Sequence, residues 1–244
     1  MTTRGELQIY AGPSEVAQAL ADLFVTAGSI AIAQRGAFRV ALSGGNTPRA
    51  AYELLAQEPL RLRLDWSRVY VYFGDERCVP PTDVRSNYRM ADLAFLRATG
   101  IPEANVYRMH GEADPGIAAN EYASLLRADL GALPHLDLVL LGLGEDGHTA
   151  SLFPGALPEG DDGALVRAVY ADSQREWRIT LTPAVINAAE CVAFAVEGAQ
   201  KAPALAAVYE GAYDPAAHPA QIVAPASGRL VWIVDEAAAG LLHV

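Results

Sequence analysis

Cysteine is scarce in this chain of 244 residues: Cys78 and Cys191 are the only two, they lie far apart, and neither belongs to a CxxC pair. That excludes a disulfide framework and a cysteine-based zinc site, and predicts two reduced, packed thiols. Histidine is scarce as well. His110, His135, His218 and His243 fall at no H-x-x-x-H or H-x-H spacing, so no metal site is expected. Basic residues are outnumbered, 18 Lys plus Arg against 29 Asp plus Glu, which gives a formal net charge of -11. Nucleic-acid binding needs a basic face, so no nucleic-acid partner is expected. A small anionic ligand is still allowed, because screening limits charge effects to roughly 8 Å and a local Arg/Lys cluster governs its own pocket. The first ten residues, MTTRGELQIY, lack the basic and apolar regions of a signal peptide. The apolar stretch Ala21 to Ala33 is too short to span a bilayer and contains Asp22. These absences point to a cytoplasmic protein with no membrane partner, and they do not separate a monomer from a small homo-oligomer. No internal repeat or low-complexity tract occurs.

What the chain does contain is an alternation of apolar strands and helices. Leu7 to Ala11 reads as a strand. Ser14 is a candidate N-cap for a helix to about Gln34, with Val16, Leu20, Leu23, Phe24, Ala27, Ile30 and Ala31 on one stripe. Phe38 to Leu42 reads as a second strand, followed by a helix capped by Thr47 with Pro48 at its first position. Further strands are predicted over Val69 to Phe73, Leu136 to Leu143, Ala164 to Tyr170, Trp177 to Leu181, Cys191 to Val196 and Leu230 to Val234. Helices are predicted over Ser86 to Leu96, Pro115 to Leu130 and Ala199 to Tyr209, with short ones after Thr182-Pro183 and at the C-terminus. This order predicts an α/β fold with a mainly parallel, Rossmann-like sheet and helices on both faces. Pro154 to Gly163 and Gly211 to Pro225 are rich in Gly, Pro and acids but separate no regions of different composition. They are expected to be surface loops of one domain spanning 1–244.

Four motifs carry chemistry. Ser43-Gly44-Gly45-Asn46-Thr47-Pro48 joins a strand to a helix N-terminus. Its glycines let backbone N–H groups converge, and its hydroxyls and the helix dipole favour an anion, though it lacks the Lys-Ser/Thr ending of a Walker A loop. Gly74-Asp75-Glu76-Arg77 also follows a strand. Arg77 offers a planar fork for phosphate or carboxylate, while the acids either bind sugar hydroxyls or pair with Arg77. Cys78 beside it has no second catalytic partner and reads as structural.

The third motif is Gly142-Leu143-Gly144-Glu145-Asp146-Gly147-His148. It matches G-x-G-x-x-G, yet its two acids and the early Pro154 argue against a dinucleotide turn, which needs a long helix next. Asp146 and His148 on one turn suit proton transfer, since His has an ordinary pKa of about 6.5 and a carboxylate can fix its tautomer. Ser151 lacks the G-x-S-x-G elbow of a nucleophile. The fourth motif, Gly198-Ala199-Gln200-Lys201, opens a helix. A lysine there opposes the dipole, so an anionic neighbour would account for it.

The segments ALSGGNTPRAAYELL, VYFGDERCVPPTDVRSNYRM, LDLVLLGLGEDGHTASLFPG and RITLTPAVINAAECVAFAVEGAQKAPAL cover about residues 40 to 208. Together they resemble the 6-phosphogluconolactonase family, with HTASLFP the most specific piece. The resemblance implies a fold similar to glucosamine-6-phosphate deaminase and ribose-5-phosphate isomerase. It also implies hydrolysis of a small-molecule sugar-phosphate lactone, 6-phospho-glucono-1,5-lactone, in the pentose phosphate pathway, without metal or cofactor. By the same resemblance His148 is the general base and Asp146 its orienting acid. Ser43, Gly44 and Gly45 match the phosphate loop, which runs on through Asn46 and Thr47, and Arg77 and Lys201 match basic groups around the substrate. Asp75 is a further candidate substrate contact. The loops Pro154 to Gly163 and Tyr209 to Pro225 carry no family signature.

Two alternatives remain in view. Glucosamine-6-phosphate deaminases are similar in the strand, the D-G-H turn and the phosphate loop. They continue after the His as I-A-F-N-E-P, with a Glu five residues on, where this chain has Phe153. A non-catalytic sugar-phosphate module of a transcription regulator would need a DNA-binding part, for which the chain, entering its first strand by Leu7, leaves no room upstream.

Overall fold

In the computed structural model, which describes residues 5–156, 163–172 and 174–243, six strands form a wholly parallel sheet. They are β1 (Glu6–Tyr10), β2 (Phe38–Leu42), β3 (Val69–Phe73), β5 (Leu138–Leu141), β8 (Cys191–Val196) and β9 (Arg229–Asp235). Their spatial order is β1-β9-β8-β5-β2-β3. The central strands read as unbroken apolar runs, LVLL in β5 and CVAFAV in β8, because both faces of the sheet are covered and every position is buried.

Strand order governs where the helices lie. The chain moves one way across the sheet from β1 through β2 to β3, and the other way from β5 through β8 to β9. Right-handed crossovers therefore place α1 (Pro13–Arg35) and α2 (Asn46–Leu55) on one face. They place α5 (Pro115–Leu130) and α7 (Ala202–Tyr209) on the other. The direction reverses between the neighbours β5 and β2, which opens a crevice at their carboxyl ends, where open α/β sheets bind ligands.

A second sheet was not legible as such. The segments predicted as ordinary strands at 164–170 and 177–181 are β6 (Val166–Ala171) and β7 (Glu176–Leu181), an antiparallel pair outside the main sheet. Their connection is too short for a parallel crossover, so only a hairpin fits. The third member, β4 (Asp75–Arg77), is the acidic motif after β3, which pairs antiparallel with β7.

Local corrections follow from capping. Gly12, not Ser14, is the N-cap of α1, and Gly45, not Thr47, that of α2, so Pro48 is its third residue. Ser86 does cap α3 (Asn87–Ala91), its Oγ accepting from Arg89 N at 3.1 Å. That helix continues through a π-helical turn, Asp92–Leu96, into α4 (Arg97–Thr99). Residues 199–201 and 238–241 form 3-10 turns rather than α-helix, and α6 (Pro183–Asn187) follows Thr182 as predicted. The strand expected over 136–143 is shorter, ending at Leu141. Residues 157–162 of the loop Pro154 to Gly163 lie outside the described residues.

At 23 residues, with a mean hydropathy of 1.6 over its most apolar 18-residue window, α1 is long and apolar enough by composition to cross a membrane, more so than the stretch 21–33 suggested. Here it serves as a core helix. Val16, Leu20, Ala21, Phe24 and Val25 are buried, while Ile30 of the predicted stripe is half exposed. Phe24 meets Phe38 edge-on at 5.1 Å and lies 6.1 Å from both Trp66 and Phe95. Both cysteines are free, as expected, and burial pushes the Cys78 thiol up to about 11. Phe24→Ala should destabilise the protein by about 3–5 kcal/mol in urea unfolding; a loss below about 1 kcal/mol would remove this aromatic cluster as the support for α1.

Candidate active site

A cavity of about 390 Å³ lies over the crevice between β2 and β5. Each of the four motifs contributes to its lining: Ser43 to Thr47 after β2, Asp75 and Arg77 from β4, His148 after β5, and Lys201 after β8. Asp146 stands behind His148 rather than on the wall.

The loop after β2 is shaped by close approach. Tyr52, buried in α2, accepts from Ser43 N at 3.2 Å and donates to Ser43 O at 3.1 Å. A Cβ on Gly44 would fall 1.9 Å from Asn87 Oδ1, so only glycine fits there. Gly45 takes φ +107, a left-handed value, and no side chain caps α2. The first N–H groups of that helix therefore face the cavity without a side-chain partner.

The acidic motif has a structural task that the sequence did not disclose. Asp75 is buried, and its carboxylate accepts from Ser151 Oγ at 2.6 Å and Asn87 Nδ2 at 3.1 Å. One carboxylate thus ties the segment just past His148 to the residue packed against Gly44. Glu76, only 2% exposed, accepts from Ser86 Oγ (2.9 Å), Asn87 N (2.7 Å), Tyr88 N (2.8 Å) and Arg77 N (2.8 Å). Burial raises its pKa even though these donors pull the other way. Neither acid pairs with the Arg77 guanidinium, contrary to one of the sequence expectations. That group donates instead to the carbonyl of Arg85.

In the turn after β5, Asp146 Oδ1 lies 2.5 Å from His148 Nδ1 and also accepts from His148 N at 3.1 Å. Burial alone would raise the Asp146 pKa, but the two His148 contacts outweigh it and hold the carboxyl below its usual range. With Nδ1 engaged, Nε2 is the imidazole nitrogen left for chemistry. Gly144 N donates to His148 O at 2.8 Å, and Gly147, at φ +81, donates to Gly144 O at 3.1 Å. Phe153 lies beside the imidazole, ring centroids 4.9 Å apart.

Lys201 is the only lysine among 18 basic residues. Where any cation would serve, this chain uses Arg, so a compact ammonium at this one place is selective. The anionic neighbour expected for it is Glu145, 4.0 Å from Nζ.

Sequence reasoning missed Arg178. It is 6% exposed in β7, between Trp177 and Ile179, and lines the cavity. Its Nη2 meets Glu176 Oε1 at 2.6 Å, and Nη1 lies 3.7 Å from Asp75 Oδ2. Burial lowers its pKa, and nearby Arg77 adds to the effect while Asp75 opposes it. A charged residue amid the apolar positions of a strand was the available signal. Among the described residues, three buried donors on this cavity have no protein partner: Ser43 Oγ, Arg77 Nε and Arg178 Nε. Such donors cost about 1–3 kcal/mol each when left unpaired, which an anionic ligand would relieve.

The turn geometry yields a test that needs no assay. A Cβ on Gly144 would fall 2.0 Å from His148 Nδ1 and 2.6 Å from Asp146 Oδ1. Gly144→Ala should abolish the downfield imidazole N–H proton resonance of the Asp146–His148 pair; an unchanged resonance would contradict this geometry.

The chain has clear relatives among known proteins. Residues 11–232 match the family described as glucosamine-6-phosphate isomerases/6-phosphogluconolactonase. A 6-phosphogluconolactonase of Synechocystis sp. is 44% identical over 215 residues, covering 85% of this chain and 86% of that protein. The structure of 6-phosphogluconolactonase from Trypanosoma cruzi superposes with a TM-score of 0.89 at 29% identity, over 100% of this chain and 99% of that one. A monomeric glucosamine-6-phosphate deaminase shares the fold, with a TM-score of 0.83 at 19% identity over 97% and 99% of the two chains. The chain belongs to the glucosamine-6-phosphate isomerase/6-phosphogluconolactonase family.

Proposed function

We propose that this protein, one α/β domain acting in the cytoplasm, hydrolyses 6-phospho-D-glucono-1,5-lactone to 6-phospho-D-gluconate in the oxidative pentose phosphate pathway. The observation that carries the proposal is one cavity with a carboxylate-oriented imidazole on its wall and three buried, unpartnered donors around it.

A δ-lactone is an activated ester, so its hydrolysis needs a base for water and donors for the oxyanion. His148 Nε2 takes a proton as water attacks C1. Asp146 holds the Nδ1–H and stabilises the imidazolium. The tetrahedral intermediate then collapses, the bond from C1 to the ring oxygen breaks, and the imidazolium returns its proton to that oxygen. Backbone N–H groups of the glycine turns hold the oxyanion. General-base catalysis of this kind typically contributes about 10²–10⁴-fold.

The phosphate lies far from C1 and positions the ring, so binding energy remote from the reacting bond is realised at it. Gly44, Gly45 and the open N-terminus of α2 supply N–H donors, with Asn46 and Thr47 in its first turn. Ser43 adds a hydroxyl, and Arg77 and Lys201 add charge. Asp75, buried and committed to Ser151 and Asn87, acts by holding these loops together and not by touching sugar hydroxyls. Phe153 provides no acid beside His148 for the ring opening of an isomerising deaminase.

His148→Ala should lower turnover of the phospholactone by about 10²–10⁴-fold with an unchanged circular dichroism spectrum. Activity like that of the wild type would remove His148 as the base. Arg77→Ala and Lys201→Ala should each raise KM for the phospholactone by at least about tenfold, the equivalent of 1.4 kcal/mol, while use of unphosphorylated gluconolactone changes little. Equal losses on both substrates would exclude a phosphate contact for either residue.

A further inference from the structure

We infer that the segment from Asp214 to Gln221, in the loop to which the sequence assigned no role, is a strap that positions His148. Gln221 fastens it. The inference rests on His148 being the base.

The turn that carries His148 has little regular structure of its own, and the strap holds it from outside at two points. Ala220 N donates to Gly147 O at 2.9 Å, and Gly155 N donates to Ala216 O at 3.0 Å. Gly147 is the residue between the base and its orienting acid, so the first bond fixes the peptide on which the Asp146–His148 pair depends. The strap also packs closely there. A Cβ on Gly147 would lie 3.0 Å from His218 Nδ1 and 3.2 Å from His218 Cα. Glycine at this position therefore serves the strap as well as the turn's positive φ.

The strap in turn is set by one buried amide. Gln221, 3% exposed, accepts from Asp214 N at 2.6 Å and donates to Ala207 O and Ala212 O, each at 2.9 Å. Asp214 closes the strap on itself, its O accepting from His218 N at 2.9 Å and its Oδ1 from Ala217 N at 3.2 Å. Ala207 belongs to α7, the helix that follows Lys201. Gln221 thus sets the turn bearing His148 relative to the helix that follows the site's lysine. Displacing a reacting group by about 1 Å can cost 10²-fold in rate, so a fastening of this kind has kinetic weight.

The test uses the whole chain and follows the decay of phospholactone generated in situ from glucose 6-phosphate. Gln221→Glu keeps the shape but cannot donate to Ala207 O and Ala212 O. It should lower kcat by about 10- to 100-fold while KM stays within about twofold, because the loop after β2 and Arg77 lie on other elements and Ala207 lies six residues beyond Lys201. Asn187→Ala is the structural control. Asn187 bonds Ile222 O at 2.9 Å and Ala224 N at 2.8 Å, just beyond the strap. This variant should lower Tm and keep kcat. A folded Gln221→Glu with wild-type kcat, or an Asn187→Ala with an equal loss of kcat, would overturn the strap. Should Gln221→Glu fail to fold, His218→Ala takes its place: a lowered kcat at unchanged KM supports the strap, and an unchanged kcat overturns it. His148→Ala is assayed alongside. If it stays active, the base assignment fails; if it is inactive while Gln221→Glu is normal, only the strap fails.

Discussion

The reversal of chain direction between β5 and β2 is the constraint on which the site depends. Two neighbouring parallel strands send their crossovers to opposite faces, so no helix covers the gap at their carboxyl ends. Into that gap each strand delivers a turn of different chemistry: a glycine loop leading to a helix N-terminus without a side-chain cap after β2, and an imidazole–carboxylate pair after β5. The same topology brings Lys201 in from β8. The chemistry is therefore held by loops, but their separation is set by hydrogen bonds between β2 and β5.

Between the loops lies a buried polar network centred on Asp75. A carboxylate buried this deeply is tolerated only when its oxygens are occupied, and removing one partner leaves an uncompensated charge. Ser151 and Asn87 occupy them, and through these two residues the carboxylate joins the turn bearing His148 to the loop at Gly44. Glu76 does the same work one residue on, fastening the start of α3. The adjacent acids thus act as struts, which leaves the cationic side chains Arg77 and Arg178 with unpartnered donors facing the cavity. A net-acidic protein can bind a phosphorylated ligand in this way, because the local arrangement and not the total charge sets the pocket's potential.

Much of this was legible in the sequence because it is local. The continuous apolar runs of β5 and β8 announced buried parallel strands, and Pro115 to Leu130 was read with its observed bounds. Ser43 to Thr47, Arg77, His148 and Lys201 were singled out from motifs within a few residues of a strand end, and all of them line the cavity. What escaped depends on contacts between distant parts of the chain. The pairing of β4 with β7 joins residues about a hundred positions apart, so the acidic motif read only as the end of a strand. Arg178 looked like an ordinary strand residue until that pairing placed it beside Asp75 and Arg77. Gln221 and the strap had no local pattern at all, because their meaning lies in backbone groups of residues 207, 212 and 214 and in the turn at 147.

On the proposed function, this crevice hydrolyses a phosphorylated lactone and does not isomerise an amino sugar phosphate. The most direct measurement generates the phospholactone in situ from glucose 6-phosphate and follows its decay against the spontaneous rate, with ammonia release from glucosamine 6-phosphate recorded in parallel. Decay well above the spontaneous rate in proportion to enzyme, with no ammonia, is the expected result. Decay at the spontaneous rate, or ammonia released in proportion to enzyme, would contradict it.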